Sequence, residues 1–185
     1  FAIPREMTQQ QGIELALDFV QAEFVDRGMI ADLNVHWDIG ADGLAKPHAH
    51  VMLTMREVGN DGFGAKVRDW NKSELVCEWR ERWADHVNER LASLDIDARI
   101  DHRSLQAQGI DLEPQTKIGA PSLRMGAEAD RLIEHHAIAR DNGERIIANP
   151  NIALDAITKQ QATFTHRDLA MFVHRHSDGK DQFDL

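Results

Sequence analysis

Leu33-Asn34-Val35-His36-Trp37-Asp38-Ile39, then Gly40-Ala41-Asp42-Gly43, then Pro47-His48-Ala49-His50-Val51-Met52-Leu53 is the stretch on which the reading of this chain turns. From Ile30 to Ile39 the residues alternate: Ala31, Leu33, Val35, Trp37 and Ile39 fall on one side, and Asp32, Asn34, His36 and Asp38 on the other. That two-residue period is a strand with one polar face. From His48 to Met55 the alternation resumes, with His48, His50, Met52 and Thr54 opposite Ala49, Val51, Leu53 and Met55. The glycine-bounded turn joins the two into a hairpin. If Ile39 pairs with Pro47, then Asp38 lies opposite His48 and His36 opposite His50, where facing Cβ atoms are about 4.5–5.5 Å apart. Three imidazoles and a carboxylate then converge on the polar face.

Three neutral histidines with a vacant position beside them are what a catalytic divalent site needs, because substrate must reach the ion. Imidazole suits several transition ions and does not choose among them. Asp38 is either a further ligand or a carboxylate that accepts a ligand's other ring N–H and so fixes its tautomer. The remaining histidines make weaker candidates. His135 and His136 point to different helix faces, and His174 and His176 lie near a chain end expected to fray, so all four are read as surface histidines.

Outward from the hairpin, Thr8 with Gln11 is a capping-box start, and Ile13, Leu17, Val20 and Phe24 continue it as a helix from about Thr8 to Arg27, ended by Gly28. Phe1-Ala2-Ile3-Pro4 reads as the tail of a strand. Val58 to Trp70, with Gly59, Gly62 and Gly64, is expected to be an irregular loop. Asn71 with Glu74 starts a second helix whose Val76, Trp79, Trp83, Val87 and Leu91 form an apolar stripe to about Leu94. Both tryptophans are read as core. The alternation of Ile96, Ala98 and Ile100 with Asp97, Arg99 and Asp101 predicts another short strand. Asp111 to Ser122 is loop. A third helix is expected over about Met125 to Ala148, and shorter ones at about Asn151–Gln160 and, capped by Thr165, at about His166–His174.

Composition bounds the function classes. With 185 residues, 42% hydrophobic and 28% charged, the chain is long enough for a true core and ordinary for a water-soluble protein. No apolar run is long enough to span a membrane, and the start lacks a signal-peptide pattern, so a cytoplasmic location with no membrane partner is expected. One cysteine beside ten histidines excludes a cysteine-zinc framework. The net charge of −10 argues against indiscriminate nucleic-acid binding. Its distribution is uneven, however. Phe1 to Gly43 carries eight acidic and two basic residues, whereas Lys46 to Lys72 carries five basic (Lys46, Arg56, Lys66, Arg68, Lys72) against three acidic.

His36-x-Asp38, a turn and Pro47-His48-x-His50-Val51 resemble the third motif of the HUH relaxases, and among them the MobA/MobL family, which includes the large Ti-type conjugative relaxases. Asp101 to Ile110 followed by Glu113-Pro114 looks like the segment that follows the catalytic motifs in that family. Gln161 to Leu169 looks like the entry to the helicase region of the Ti-type proteins. The resemblance implies an α+β fold, an antiparallel sheet with flanking helices and a helical C-terminal extension. It divides the chain into a relaxase core at 1–122 and an extension at 123–185 that leads toward a helicase region. It also implies one divalent ion (Mn, Mg, Zn or Ni) held by His36, His48 and His50, with Asp38 as an orienting carboxylate. The implied partners are single-stranded DNA at an origin of transfer, relaxosome components and type IV secretion proteins.

Relaxases attack the scissile phosphate with a tyrosine, and this chain contains none. The family pattern places that tyrosine before the strand whose tail is Phe1 to Ile3, so the chain is expected to be an N-terminally truncated part of a longer enzyme. Two other readings stay open from the residues alone. One is a non-catalytic single-stranded-DNA-binding or inter-domain module. The other is a metal-dependent hydrolase using activated water, with Asp38 as general base.

Overall fold

The hairpin forms as β1 (Ala31–Ile39) and β2 (Ala45–Leu53) in the computed structural model, which describes residues 1–40, 43–115 and 128–185. Its register differs from the expected one by two residues: Ile39 pairs with Ala45, Trp37 with Pro47, His36 with His48 and Asn34 with His50. The connection is the cause. The Gly40 N–H donates to the Leu44 carbonyl at 2.8 Å and the Gly43 N–H to the Gly40 carbonyl at 2.9 Å, so the turn closes before Ala45. Gly43 takes a φ of +74°, which a glycine adopts without strain. Ala41 and Asp42, also assigned to this turn, lie outside the described residues. Because the slip is two residues rather than one, every side chain keeps its face.

Phe1–Ile3 lies along the other edge of β2. Ala2 bridges to His48, the Ile3 N–H donates to the Pro47 carbonyl at 3.0 Å, and the Ala49 N–H donates to the Phe1 carbonyl at 2.8 Å. The histidine-bearing strand is therefore paired on both sides.

The apolar face of the hairpin rests on two helices. The first, α1 (Gln9–Glu23), opens with the expected capping box between Thr8 and Gln11, and a 3-10 turn at Val25–Arg27 carries it to Gly28 at φ +94°. The second, α2 (Ser73–Ser93), begins later than expected. Residues Arg68–Asn71 form a 3-10 turn, the Lys72 N–H donates to the Asp69 carbonyl, and Asn71 and Glu74 make no capping box. Leu15, Phe19, Val20, Ala49, Trp83, Val87 and Leu91 are buried in the core, with Val35, Trp37 and Val51 packed against them. Trp83 is 8% exposed, donates its indole N–H to the Ala2 carbonyl at 3.2 Å and meets the Phe1 ring at 4.1 Å. Trp79 packs edge-on against Phe24 at 5.1 Å. Both tryptophans face the protein interior.

Two expectations change. The segment read as loop holds a second hairpin, β3 (Arg56–Gly59) and β4 (Gly62–Lys66), with a bulge between the Arg56 and Val58 pairs. Gly59 and Gly62 close the tight Gly59-Asn60-Asp61-Gly62 turn, Gly62 standing at φ +97°, and Gly64 lies within β4. Conversely, 96–100 alternates in burial as expected yet pairs with no strand among the described residues. The Asn88 side chain replaces the ladder: it donates to the Ile100 carbonyl at 2.9 Å and accepts from the Ile100 N–H at 2.9 Å.

The chain divides into two units, Phe1–His102 and Arg103–Leu185. The boundary expected at residues 122 and 123 falls outside the described residues, as do the loop from 116 and the start of the third helix before 128. The second unit contains α3 (Glu128–Ala148), α4 (Asn151–Thr158), α5 (His166–Arg175) and α6 (Gly179–Phe183). Thr165 and Asp168 form a capping box on α5. Ile110, Leu112, Ile146, Ala153 and Ala156 make its core, beside a fully buried Asn142. The fold is α+β, antiparallel hairpins with flanking helices followed by a helical unit. No helix among the described residues is long and apolar enough to cross a membrane.

Candidate metal centre

β1 and β2 present their polar faces together because their apolar faces pack on the core that α1 and α2 share. On β2 the alternation is sharp: Pro47 and Ala49 are buried, while His48 is half-buried and His50 exposed on the opposite side. Hydrogen bonds along both edges hold this strand, so its histidines cannot slide.

The rings of His36 and His48 lie 5.1 Å apart, those of His36 and His50 5.2 Å, and those of His48 and His50 5.1 Å. All three sequence-predicted histidines thus come together, although His50 stands diagonally from His36 rather than opposite it. His48 Nδ1 lies 3.0 Å from the Lys46 carbonyl. A carbonyl only accepts, so the neutral ring donates through Nδ1 and keeps its lone pair on Nε2, a tautomer suited to metal ligation.

Asp38 joins them from two residues along β1. Donor atoms of His36, Asp38 and His48 all lie within 4.8 Å of one another, the one group of this kind among the described residues. By donor atoms the tight set is therefore His36, Asp38 and His48, whereas by ring positions it is His36, His48 and His50. Ring positions are the better guide to where the protein directs its imidazoles. They follow from strand pairing, whereas turning an exposed His50 about its side-chain bonds moves its donor atom freely.

The other histidines are elsewhere. His136 Nδ1 lies 2.8 Å from an Asp178 carboxylate oxygen, and with Arg140 it holds that carboxyl below its ordinary range. His174 is exposed. His176 departs from the surface reading: it packs on Phe172 at 4.6 Å, its Nδ1 is buried without a hydrogen-bond partner, and burial, then Arg175, lowers its pKa to about 4. Helix α6 follows it, so this region is not the fraying end the sequence implied. In the basic run, Lys72 is paired with Asp69 at 2.8 Å, and Arg56 and Lys66 face one another across β3 and β4. Sequence reasoning missed that opposition because it assigned no strands there.

The MobA/MobL family matches residues 1–128. Conjugal transfer protein TraA of Agrobacterium fabrum is 33% identical over 207 residues, covering 96% of this chain and 18% of that protein. Mobilization protein A of Escherichia coli is 33% identical over 154 residues, covering 71% of this chain and 21% of that protein. A solved structure described as the molecular basis of vancomycin resistance transfer in Staphylococcus aureus aligns over 56% of this chain and 54% of its own, at 32% identity and a TM-score of 0.49. The chain spans about a fifth of the length of the two curated relatives named here. It belongs to the MobA/MobL family of conjugative relaxase and mobilization proteins.

Proposed function

We propose that this chain is the metal-binding part of a conjugative relaxase that nicks and transfers single-stranded DNA at an origin of transfer, using one divalent ion held by His36, His48 and His50. The ring spacing carries this reading. An ion bound at about 2.0–2.1 Å from each nitrogen lies about 3.2 Å from each ring centre, which at a tetrahedral angle puts ring centres about 5.2 Å apart. The three separations of 5.1–5.2 Å fit that value without any movement of the strands. Bound there, the ion would draw charge from the non-bridging oxygens of a phosphodiester.

The chain's own residues do the rest. His48 is oriented through Lys46, Asp38 stands within 4.8 Å of the donor atoms of His36 and His48, and the polar face leaves the fourth side open to DNA. The nucleophile is a tyrosine from outside these 185 residues, since they contain none. No hydroxyl on the hairpin replaces it. Thr54 stands four residues beyond His50, about 13 Å at ~3.3 Å per residue, and its Oγ1 accepts from the Ile30 N–H. Relaxosome and type IV secretion proteins are the partners of the longer protein.

Calorimetric titration with Mn²⁺, Zn²⁺ and Ni²⁺ tests the ligand set: one ion per chain is expected, and His50→Ala should weaken binding by more than the roughly 10- to 100-fold that losing an orienting partner costs. No uptake by the wild type, or equal uptake by the variant, defeats the assignment. Incubation with an origin oligonucleotide tests the chemistry. This chain should form no covalent adduct, and a longer chain that includes the tyrosine should form one. The proximity of Asp38 to His36 and His48 favours one alternative, hydrolysis by activated water, and cleavage without an adduct would establish it.

A further inference from the structure

The β3–β4 hairpin stands apart from the helices that cover the first one. Its strands contact chiefly each other, and every residue of β4 is exposed. A two-stranded hairpin gains little stability in water on its own, yet this one carries Phe63 at 68% exposure. The pairing explains which residues share its faces. Arg56 is directly opposite Lys66 and Val58 directly opposite Phe63; Arg56 and Val58 are two residues apart on β3, and the bulge takes up the extra residue between Phe63 and Lys66 on β4, so the two pairs leave the same face. Glu57 leaves the other face and lies against Gly28.

Two cations placed directly across a ladder repel and destabilise it. The Arg56 guanidinium spends one donor on the Gly64 carbonyl at 2.8 Å, and its remaining donors are not committed to any carboxylate by a salt bridge. An anion between Arg56 and Lys66 would turn the repulsion into attraction. At the neighbouring pair, about 7 Å along β3 from Arg56 to Val58, the opposing Phe63 presents an aromatic ring with an open face. Phosphate next to an unpaired base is the chemistry that answers both features, whereas a duplex hides the faces of its bases.

We infer that the Arg56, Lys66 and Phe63 face of β3–β4 is a single-stranded-DNA-binding arm, in which the two cations clamp a phosphodiester and Phe63 stacks on the adjoining base. This rests on the relaxase reading and gives its DNA a second point of attachment, separate from the histidines.

Fluorescence anisotropy of the full 185-residue chain with a labelled oligothymidylate, and with an abasic strand of equal length, tests the arm. Phe63→Ala should weaken oligothymidylate binding roughly tenfold, within the range measured for losing one stacked base. It should leave abasic binding unchanged, and Phe63→Trp should restore the loss. Lys66→Ala should lower the slope of log affinity against log salt by about 0.7, the share of one phosphate on a single strand. All these positions are exposed, so the variants fold. If the wild type binds DNA and Phe63→Ala binds equally well, or loses as much on the abasic strand, the arm is wrong and the relaxase reading survives. Equal competition by polyglutamate with the same dependence on Phe63 would make it an acidic-protein site and overturn the inference. No DNA binding by the wild type would overturn both.

Discussion

Each histidine of the centre owes its direction to an apolar neighbour: Pro47 and Ala49 are buried on β2, so His48 and His50 face away from the core. This was legible in the sequence because the strand period is two and burial selects one face. The partner opposite each histidine was not, since register depends on hydrogen bonds within the turn, Gly40 to Leu44 above all. Asp38 illustrates the consequence: it pairs with Lys46 instead of His48 but stays beside His36. If it orients a ligand, Asp38→Asn should weaken ion binding about 10- to 100-fold while leaving one site per chain, as calorimetry would read it. Gly12 was invisible as a determinant. A Cβ there would sit 2.9 Å from Ile3 Cγ2 and from Trp37 Cη2 and Cζ3, so the glycine lets the Trp37 ring of β1 close onto α1. Gly12→Ala should destabilise the first unit by up to about 2 kcal/mol, the cost of overpacking less the alanine's helix preference, in urea unfolding followed by tryptophan emission. A more stable variant would show that the contact yields freely.

At the scale of elements, the helix starts written in side-chain chemistry were readable. Thr8 with Gln11 and Thr165 with Asp168 both cap as their spacing requires. Asn71 with Glu74 has the same pattern and fails, because a backbone turn at Arg68–Asn71 takes that position first. Alternation at Ile96 to Ile100 reported a buried face truthfully but could not report a partner, and an asparagine supplied what a strand was expected to supply. The second unit repeats the device. Asn142, 0% exposed, donates from Nδ2 to the Glu113 carbonyl and accepts at Oδ1 from the Glu113 N–H, each at 2.8 Å. Nothing in a helix pattern marks such a residue, which reads as one more polar position. Asn142→Ala strands two backbone groups and should cost the second unit about 2–4 kcal/mol, seen as an earlier loss of helical circular dichroism in urea. An unchanged midpoint would mean that water replaces the amide.

For the whole molecule, the division at His102 and Arg103 makes two folding reporters separable. All four tryptophans, Trp37, Trp70, Trp79 and Trp83, lie in the first unit, while α3 to α6 lie in the second. His176 in the second unit is held neutral, its pKa lowered from 6.5 to about 4 by burial and then by Arg175. Between those values the unfolded chain binds a proton that the folded chain refuses, so stability rises with pH across the window and is lost as pH falls through it. Asp178 adds a second loss lower down. Hydrogen bonds from His136 and then Arg140 hold its carboxyl below 3.8, and the stability they confer is present above 3.8 and disappears as pH falls further. At ~1.36 kcal/mol per unit the His176 shift sets a ceiling of about 3 kcal/mol, and partial exposure brings the expected effect nearer 1–2 kcal/mol. Acidification from neutral pH toward 4 should therefore lower helical circular dichroism before it alters tryptophan emission. His176→Phe keeps the packing against Phe172 without the titrating nitrogen, and should move the first transition to lower pH while leaving the tryptophan transition where it was. If both signals fall together in the wild type, or the substitution leaves the circular-dichroism transition in place, His176 is not the group that makes the second unit acid-labile.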